Sequence, residues 1–242
     1  MIYFISDVHL GILKRDEDRL REDLLIGFLE KISDNCTKLF IVGDLFDYWF
    51  EYRTVIPKYF YRTLFTLKQM RLKGIEIEYV MGNHDFGHRT FFGSELDIPI
   101  YTNDIERELY GKKFYISHGD GKSYKDTGYK ILKKILRNRT AQFLYRMIHP
   151  DIGIALASTS SRKSRVYTDK KNYGDREGMR DFAEKKISEG YDYVIMGHRH
   201  KLIRERIGTG TYINLGEWIH FPSYAVFDGQ DIETGSVREL VG

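Results

Sequence analysis

The sequence predicts an α/β sandwich, two packed β-sheets with helices on their outer faces and an inserted helical cap, and three observations carry that reading. Strand-like apolar runs alternate with stretches of helical periodicity through the first half, the tail is strand-rich, and one basic amphipathic segment interrupts the alternation. The 242 residues suit one large domain with an insertion and suffice for a substantial core. With 42% apolar and 30% charged residues, four prolines and no low-complexity tract, the composition is that of an ordered protein and excludes disorder.

Ile2 to Ser6 reads as a buried strand leading into a loop with Asp7, His9 and Gly11. Leu20, Leu24, Leu25, Phe28, Leu29 and Ile32 recur at helical spacing, so a covering helix follows. Lys38 to Val42 is a second strand, ending in Gly43-Asp44-Leu45-Phe46-Asp47. Val55 to Lys73 is a second helical stretch closed by Gly74, and Ile75 to Met81 a third strand ending in Gly82-Asn83-His84-Asp85. Lys112 to Ile116, after a turn at Gly111-Lys112, leads into Ser117-His118-Gly119-Asp120. A helical stretch from Arg176 to Ser188 precedes the strand Tyr191 to Met196, which ends in Gly197-His198-Arg199-His200. Beyond it, strands alternate with turns at Gly208-Thr209-Gly210 and Asp228-Gly229.

Residues 121–173 stand apart as the inserted cap, leaving 1–120 and 174–242 as the core. Ile131, Leu132, Ile135 and Leu136, then Phe143, Leu144, Met147 and Ile148, form amphipathic helical patterns that His149-Pro150 breaks. This segment carries thirteen Lys/Arg against three Asp, a net +10, which leaves −7 for the remainder. Such a face is either a solvated helical surface or a lid over an anionic substrate or lipid. The single cysteine, Cys36, has no internal disulfide partner and reads as an incidental thiol. Met1 to Ile5 runs directly into Ser6-Asp7, so no secretory leader is expected. No run approaches the roughly 20 apolar residues that span a bilayer, so any membrane contact is peripheral. A cytoplasmic location follows as the expectation.

The chemistry concentrates at five strand ends. Ligands of open α/β sheets gather at the carboxyl ends of strands, and there the chain places Asp7, His9, Asp44, Asn83, His118, His198 and His200. Each alone has a structural reading, as a turn cap or a hydrogen-bonded core histidine. Five strand ends carrying such groups together point to metal chemistry. Imidazole, carboxylate and amide donors without thiolate suit manganese, iron or zinc. Seven donors exceed one open site, whereas a shared carboxylate can bridge two ions about 3.5 to 4 Å apart.

These motifs resemble the ordered motifs of the calcineurin-like metallophosphoesterases over residues 7–200. The resemblance implies a metallophosphoesterase-type sandwich of two mixed sheets. It also implies that Asp7, His9 and His200 hold one divalent ion, that Asn83, His118 and His198 hold a second, and that Asp44 bridges them. His84 then stands beside the phosphate as acid or charge stabiliser, with Asp85 orienting it, and a water acidified by both cations attacks phosphorus in line.

Finer features narrow the family. Asp7-Val8-His9-Leu10-Gly11, the run from Gly43 through Trp49, His118-Gly119-Asp120 followed by Asp126-Thr127-Gly128-Tyr129, and a Ser/Lys/Arg-rich stretch from Ser158 to Arg165 are similar to the UDP-2,3-diacylglucosamine diphosphatases of lipid A synthesis. That resemblance implies a nucleotide-linked lipid substrate, an anionic inner-membrane surface as peripheral partner, and substrate contacts from His84, Asp126, Tyr129, Ser161, Lys163 and Arg165. One departure is His84, where such enzymes carry arginine. Two other readings remain: a metallophosphoesterase of another nucleotide or of DNA, and a non-catalytic scaffold. The −7 charge outside the cap argues against nucleic acid, and the complete set of seven donors against the scaffold.

Overall fold

A computed structural model describes residues 1–122, 138–156 and 178–242. Strands β1 (Ile2–Ile5), β2 (Lys38–Val42), β3 (Glu76–Val80) and β4 (Ile100–Tyr101) are parallel to one another. The second sheet holds β5 (Ile105–Leu109), β6 (Lys112–Ser117), β7 (Tyr193–Met196), β8 (Leu202–Ile207) and β9 (Gly210–Leu215) in the order β5-β6-β7-β9-β8. Its central β6, β7 and β9 are parallel, and its edge strands antiparallel. The chain then returns to the first sheet, where β10 (Ser223–Phe227) and β11 (Ile232–Ser236) complete the order β11-β10-β1-β2-β3-β4.

Alternation along each strand sends side chains to two different cores. Ile2, Phe4, Phe40, Val42 and Val80 face Phe114, Ile116, Ile195 and Ile213 between the sheets. Phe4 lies against Phe40 at 5.0 Å within its own sheet and against Phe114 at 5.9 Å across the interface. Full burial of such a ring contributes roughly 2 kcal/mol. Tyr3, Ile5, Leu39, Ile41, Ile77 and Tyr79 point the other way, into a core closed by α1 (Arg15–Ile32) and α2 (Tyr61–Leu72).

Helix α2 starts later than periodicity suggests, because Pro57 is extended and a 3-10 turn, Lys58–Phe60, intervenes. On α1, Leu20 is 71% exposed rather than in the core, and the neighbouring Arg21 and Glu22 are buried. Strand β5 has no clear sequence signature, since its middle residues, Glu106 to Glu108, are charged.

The described part of the expected cap contains α3 (Arg139–Arg146), capped by Asn138, whose side chain accepts hydrogen bonds from the backbone of Thr140 and Ala141. Pro150 starts a further helical stretch, 150–156, at the first-turn position where its missing N–H costs nothing. The hydroxyl of Tyr48 donates to that of Tyr145 at 3.2 Å, and the Phe50 and Tyr145 rings lie 4.7 Å apart, so this segment rests on the loop after β2. On the outer face of the second sheet, α4 (Gly178–Ser188) packs Met179, Ala183 and Ile187. A terminal turn, α5 (Val237–Val241), packs against α1. Among the described residues, no helix is long and apolar enough to cross a membrane.

Candidate metal centre

Parallel register levels the ends of five strands. Ile5 pairs with Ile41, Val42 with Val80, and Ser117 with Met196, so the loops that follow converge at one end of the inter-sheet core. All seven expected ligands arrive there. His9 Nε2 and His200 Nε2 face each other at 3.2 Å, with Asp7 Oδ1 at 3.5 Å from the first and 3.2 Å from the second. Asn83 Oδ1 lies 2.9 Å from His118 Nε2 and 2.8 Å from His198 Nδ1. Between these groups stands Asp44, whose Oδ2 is 3.2 Å from His118 Nε2 and 3.8 Å from His9 Nε2.

The backbone bends to bring them in. Asp7, His9, Asp44, His198 and His200 all have φ between 51° and 69°, a left-handed conformation that costs a non-glycine residue of order 1 kcal/mol or more. Surrounding hydrogen bonds hold it. Asp7 donates its N–H to the Gly43 carbonyl at 3.1 Å, His9 to that of Asp44 at 3.0 Å, and His198 to Asp7 Oδ2 at 2.8 Å. From α1, the buried Arg21 donates to the carbonyls of Val8 at 3.0 Å and His9 at 3.3 Å while pairing with Asp18 at 2.8 Å. Gly82 and Gly197 admit the close approach of Asp44 and Asp7, because a Cβ at either position would overlap the facing carboxylate.

The donor set fits cations. Asp7 Oδ1 and Asp44 Oδ2 are buried carboxylate oxygens whose nearest charged partners are imidazoles, at 3.2 Å or more, and neither residue has a lysine or arginine partner among the described residues. An uncompensated buried carboxylate is costly, and a bound cation removes that cost. His118 Nδ1–H donates to the Val42 carbonyl at 2.9 Å, which fixes the tautomer and leaves Nε2 aimed at Asp44 and Asn83. Burial disfavours a charged His118, but the charge of Asp44 outweighs it and raises the imidazole to about 10. His198 goes the other way, pushed down to about 4 by burial and by His118. Burial opposes ionisation of Asp7, yet hydrogen bonds from His200 and His9 hold its carboxyl well below the usual range.

His84 lies at the edge of the cluster, its ring 4.9 Å from that of His9 and its N–H bound to Asp44 Oδ1 at 2.8 Å. His9, Asp44 and His84 also form a group close enough to hold an ion. The expectation that Asp85 orients His84 is corrected by the geometry. Asp85 is fully buried and accepts from the backbone of Gly82 at 2.8 Å and of Leu45 at 3.1 Å, and from the Tyr79 hydroxyl. It ties the β3 loop to the β2 loop instead. Burial and the charge of Asp44 push its carboxyl up to about 7.

The carboxylate beside His84 is Asp47, whose Oδ1 is 3.4 Å from His84 Nδ1 and 3.4 Å from His9 Nδ1. Asp47 ends the Gly43-to-Asp47 motif, and its position in a strand-end loop was the available signal. Asp126, Tyr129, Ser161, Lys163 and Arg165 lie outside the described residues.

Comparison with known proteins agrees with this geometry. A family model described as Calcineurin-like phosphoesterase matches residues 1–202. A protein of Porphyromonas gingivalis named UDP-2,3-diacylglucosamine hydrolase is 33% identical, with 99% of this chain and 98% of that protein covered. Proteins of the same name from Histophilus somni and Haemophilus influenzae are 28% and 26% identical, with 89% of this chain and 91% and 90% of those proteins covered. The family implies divalent metal ions, and the clustered Asp and His groups fit them. The two mixed sheets, the five strand-end loops and the match over residues 1–202 establish that the chain belongs to the calcineurin-like phosphoesterase family.

Proposed function

We propose that this protein hydrolyses the diphosphate of UDP-2,3-diacylglucosamine, giving UMP and 2,3-diacylglucosamine 1-phosphate, as a metal-dependent hydrolase of lipid A synthesis. The observation that carries the reading is the full-length likeness to a UDP-2,3-diacylglucosamine hydrolase, on a chain that keeps all seven ligand-type residues in one cluster. In this reading Asp7, His9 and His200 hold one divalent ion, Asn83, His118 and His198 a second, and Asp44 serves both, with manganese as the metal. When bound, the ions polarise the phosphate and make a water nucleophilic at neutral pH.

The chain's own groups do the rest. His84, next to His9 and Asp44, is placed to stabilise charge on the phosphate and to protonate the leaving oxygen from Nε2, while Asp47 faces Nδ1 and aims the ring. Asp85 contributes indirectly, by fixing the loop that carries Asn83 and His84.

Residues 121–173 are the cap in this reading, with its apolar helix faces for the acyl chains and with Asp126, Tyr129, Ser161, Lys163 and Arg165 as substrate contacts. Phe143, Leu144 and Met147, on and beside α3, are 59%, 61% and 75% exposed. Such apolar groups beside basic residues suit peripheral contact with the anionic cytoplasmic face of the inner membrane. The test is UMP release from UDP-2,3-diacylglucosamine beside an unacylated UDP-sugar. Faster turnover of the acylated substrate is expected, and equal rates on both would remove the lipid reading.

A further inference from the structure

One cavity reaches the metal cluster at His118, a second lies beside Gly11, and their walls differ in kind. One, of about 290 Å³, is lined by Met81, Thr102, Asn103, Asp104, Asp120 and Lys122 and opens beside His118. The other, of about 260 Å³, is lined mostly by apolar and aromatic groups, Tyr48, Pro57, Phe60 and Ile154 among them, with Arg15 and Asp18 also in its wall, where the helical stretch 150–156 meets the core beside Gly11. For a substrate whose diphosphate sits at the cluster, the polar arm is better matched to the first cavity than to the second.

We propose that the polar cavity beside His118 receives the nucleoside half of the substrate, so that the lipid half extends towards Tyr48, Phe60 and Ile154. This rests on the UDP-lipid reading above and adds its orientation.

The polar wall is built rather than incidental. Asp104 accepts hydrogen bonds from Ser117 at 2.7 Å, from Lys122 at 2.7 Å and from the Tyr115 hydroxyl. The Lys122 ammonium also stands 4.8 Å from the centre of the Phe182 ring. Its charge is therefore held in place at the cavity wall.

The volume is near the roughly 300 Å³ lower end of small-molecule sites, enough for a base or a pentose. The chemistry matches a nucleoside group by group. The Asn103 amide offers both a donor and an acceptor, which the edge of a pyrimidine requires, and the Thr102 hydroxyl can do either. Ribose hydroxyls donate well to a carboxylate such as Asp120, and Val80 with Met81 supplies an apolar surface for the face of a base. His118 is the nearest expected ligand, so a nucleoside here would have its phosphate at the metals.

The test uses the metal-loaded full chain hydrolysing bis(p-nitrophenyl) phosphate, a small diester with no nucleoside, and compares inhibition by UMP, ribose 5-phosphate and inorganic phosphate. UMP is expected to inhibit about tenfold more tightly than phosphate. Asn103→Ala and Thr102→Ala should close most of that gap, each hydrogen bond being worth several-fold to about tenfold, while inhibition by phosphate and turnover of the small diester stay as in the wild type. Equal inhibition by UMP and phosphate in the wild type, or a gap that survives both substitutions, overturns the proposal. UMP release from the acylated substrate is scored separately. Release with no nucleoside preference refutes the orientation alone, and a nucleoside preference without release refutes the lipid reading alone.

Discussion

Two parts of the inter-sheet core bury carboxylates in opposite ways. Glu78, midway along β3, is met by Lys38 from the amino end of β2 at 2.6 Å and by Arg107, across the interface, at 2.6 Å. At the carboxyl ends, Asp7 and Asp44 face imidazoles and backbone amides, and no lysine or arginine reaches them among the described residues. Glu78 is a finished ion pair that joins two sheets. Asp7 and Asp44 have no such lysine or arginine among the described residues and fit a divalent cation instead, and that difference separates a structural buried charge from a functional one.

The sharpest way to break the comparison is Asp44→Asn. It keeps the shape and removes the charge, so phosphodiester turnover should fall about a thousandfold or more and metal content should drop, measured by steady-state kinetics and elemental analysis. A fully active, metal-free variant would show that the carboxylate end needs no cation. Next comes the pair at the edge of the cluster. His84→Ala should lower kcat about a hundredfold with metal content intact, and Asp47→Asn about tenfold, because the first removes the acid and the second only its aim. Loss of metal in the alanine variant would instead make His84 a ligand.

Glu78→Gln tests the finished pair. It should cost about 2 kcal/mol in chemical denaturation, discounted because Lys38 and Arg107 reach solvent, and leave kcat unchanged. A kcat that falls with stability would mean that the two parts are not independent.

The smallest effect concerns His88, a buried ring packed among Trp49, Tyr79 and Phe92 with no hydrogen bond on either nitrogen. Burial pushes its pKa down to about 3, below the roughly 6.5 of the unfolded chain. The unfolded state therefore takes up the proton first. The stability that His88 contributes is complete above about pH 6.5 and is lost, by about 1.4 kcal/mol per pH unit, as the pH falls towards 3. His88→Phe should flatten that slope between pH 6 and 5, and identical slopes in denaturant titrations would refute it.

Legibility varied by element and by residue. Asp7, His9, Asp44, Asn83, His118, His198 and His200 were readable because each closes an apolar run, and parallel strands carry such ends to the same edge. Asp85 was misread because adjacency in sequence suggested contact with His84, whereas the turn directs its carboxylate back to Gly82, Leu45 and Tyr79. Asp47 reaches His84 only because the loops after β2 and β3 fold over one another. Leu20 fitted the helical period and still faces solvent, since Arg21 takes the inward position to hold the Val8 and His9 carbonyls.

By itself the sequence determined the alternation of strands and helices, the chemical type of the site and the donors available to it, because periodicity and residue chemistry are local properties. Tertiary structure decided the rest. It inserted β9 between β7 and β8, returned β10 to pair with β1, gave His84 the carboxylate of Asp47, and set a polar cavity beside His118 and a more apolar one beside Gly11. Those are relations between segments far apart in the chain, fixed by which faces can be buried together, and no single segment encodes them.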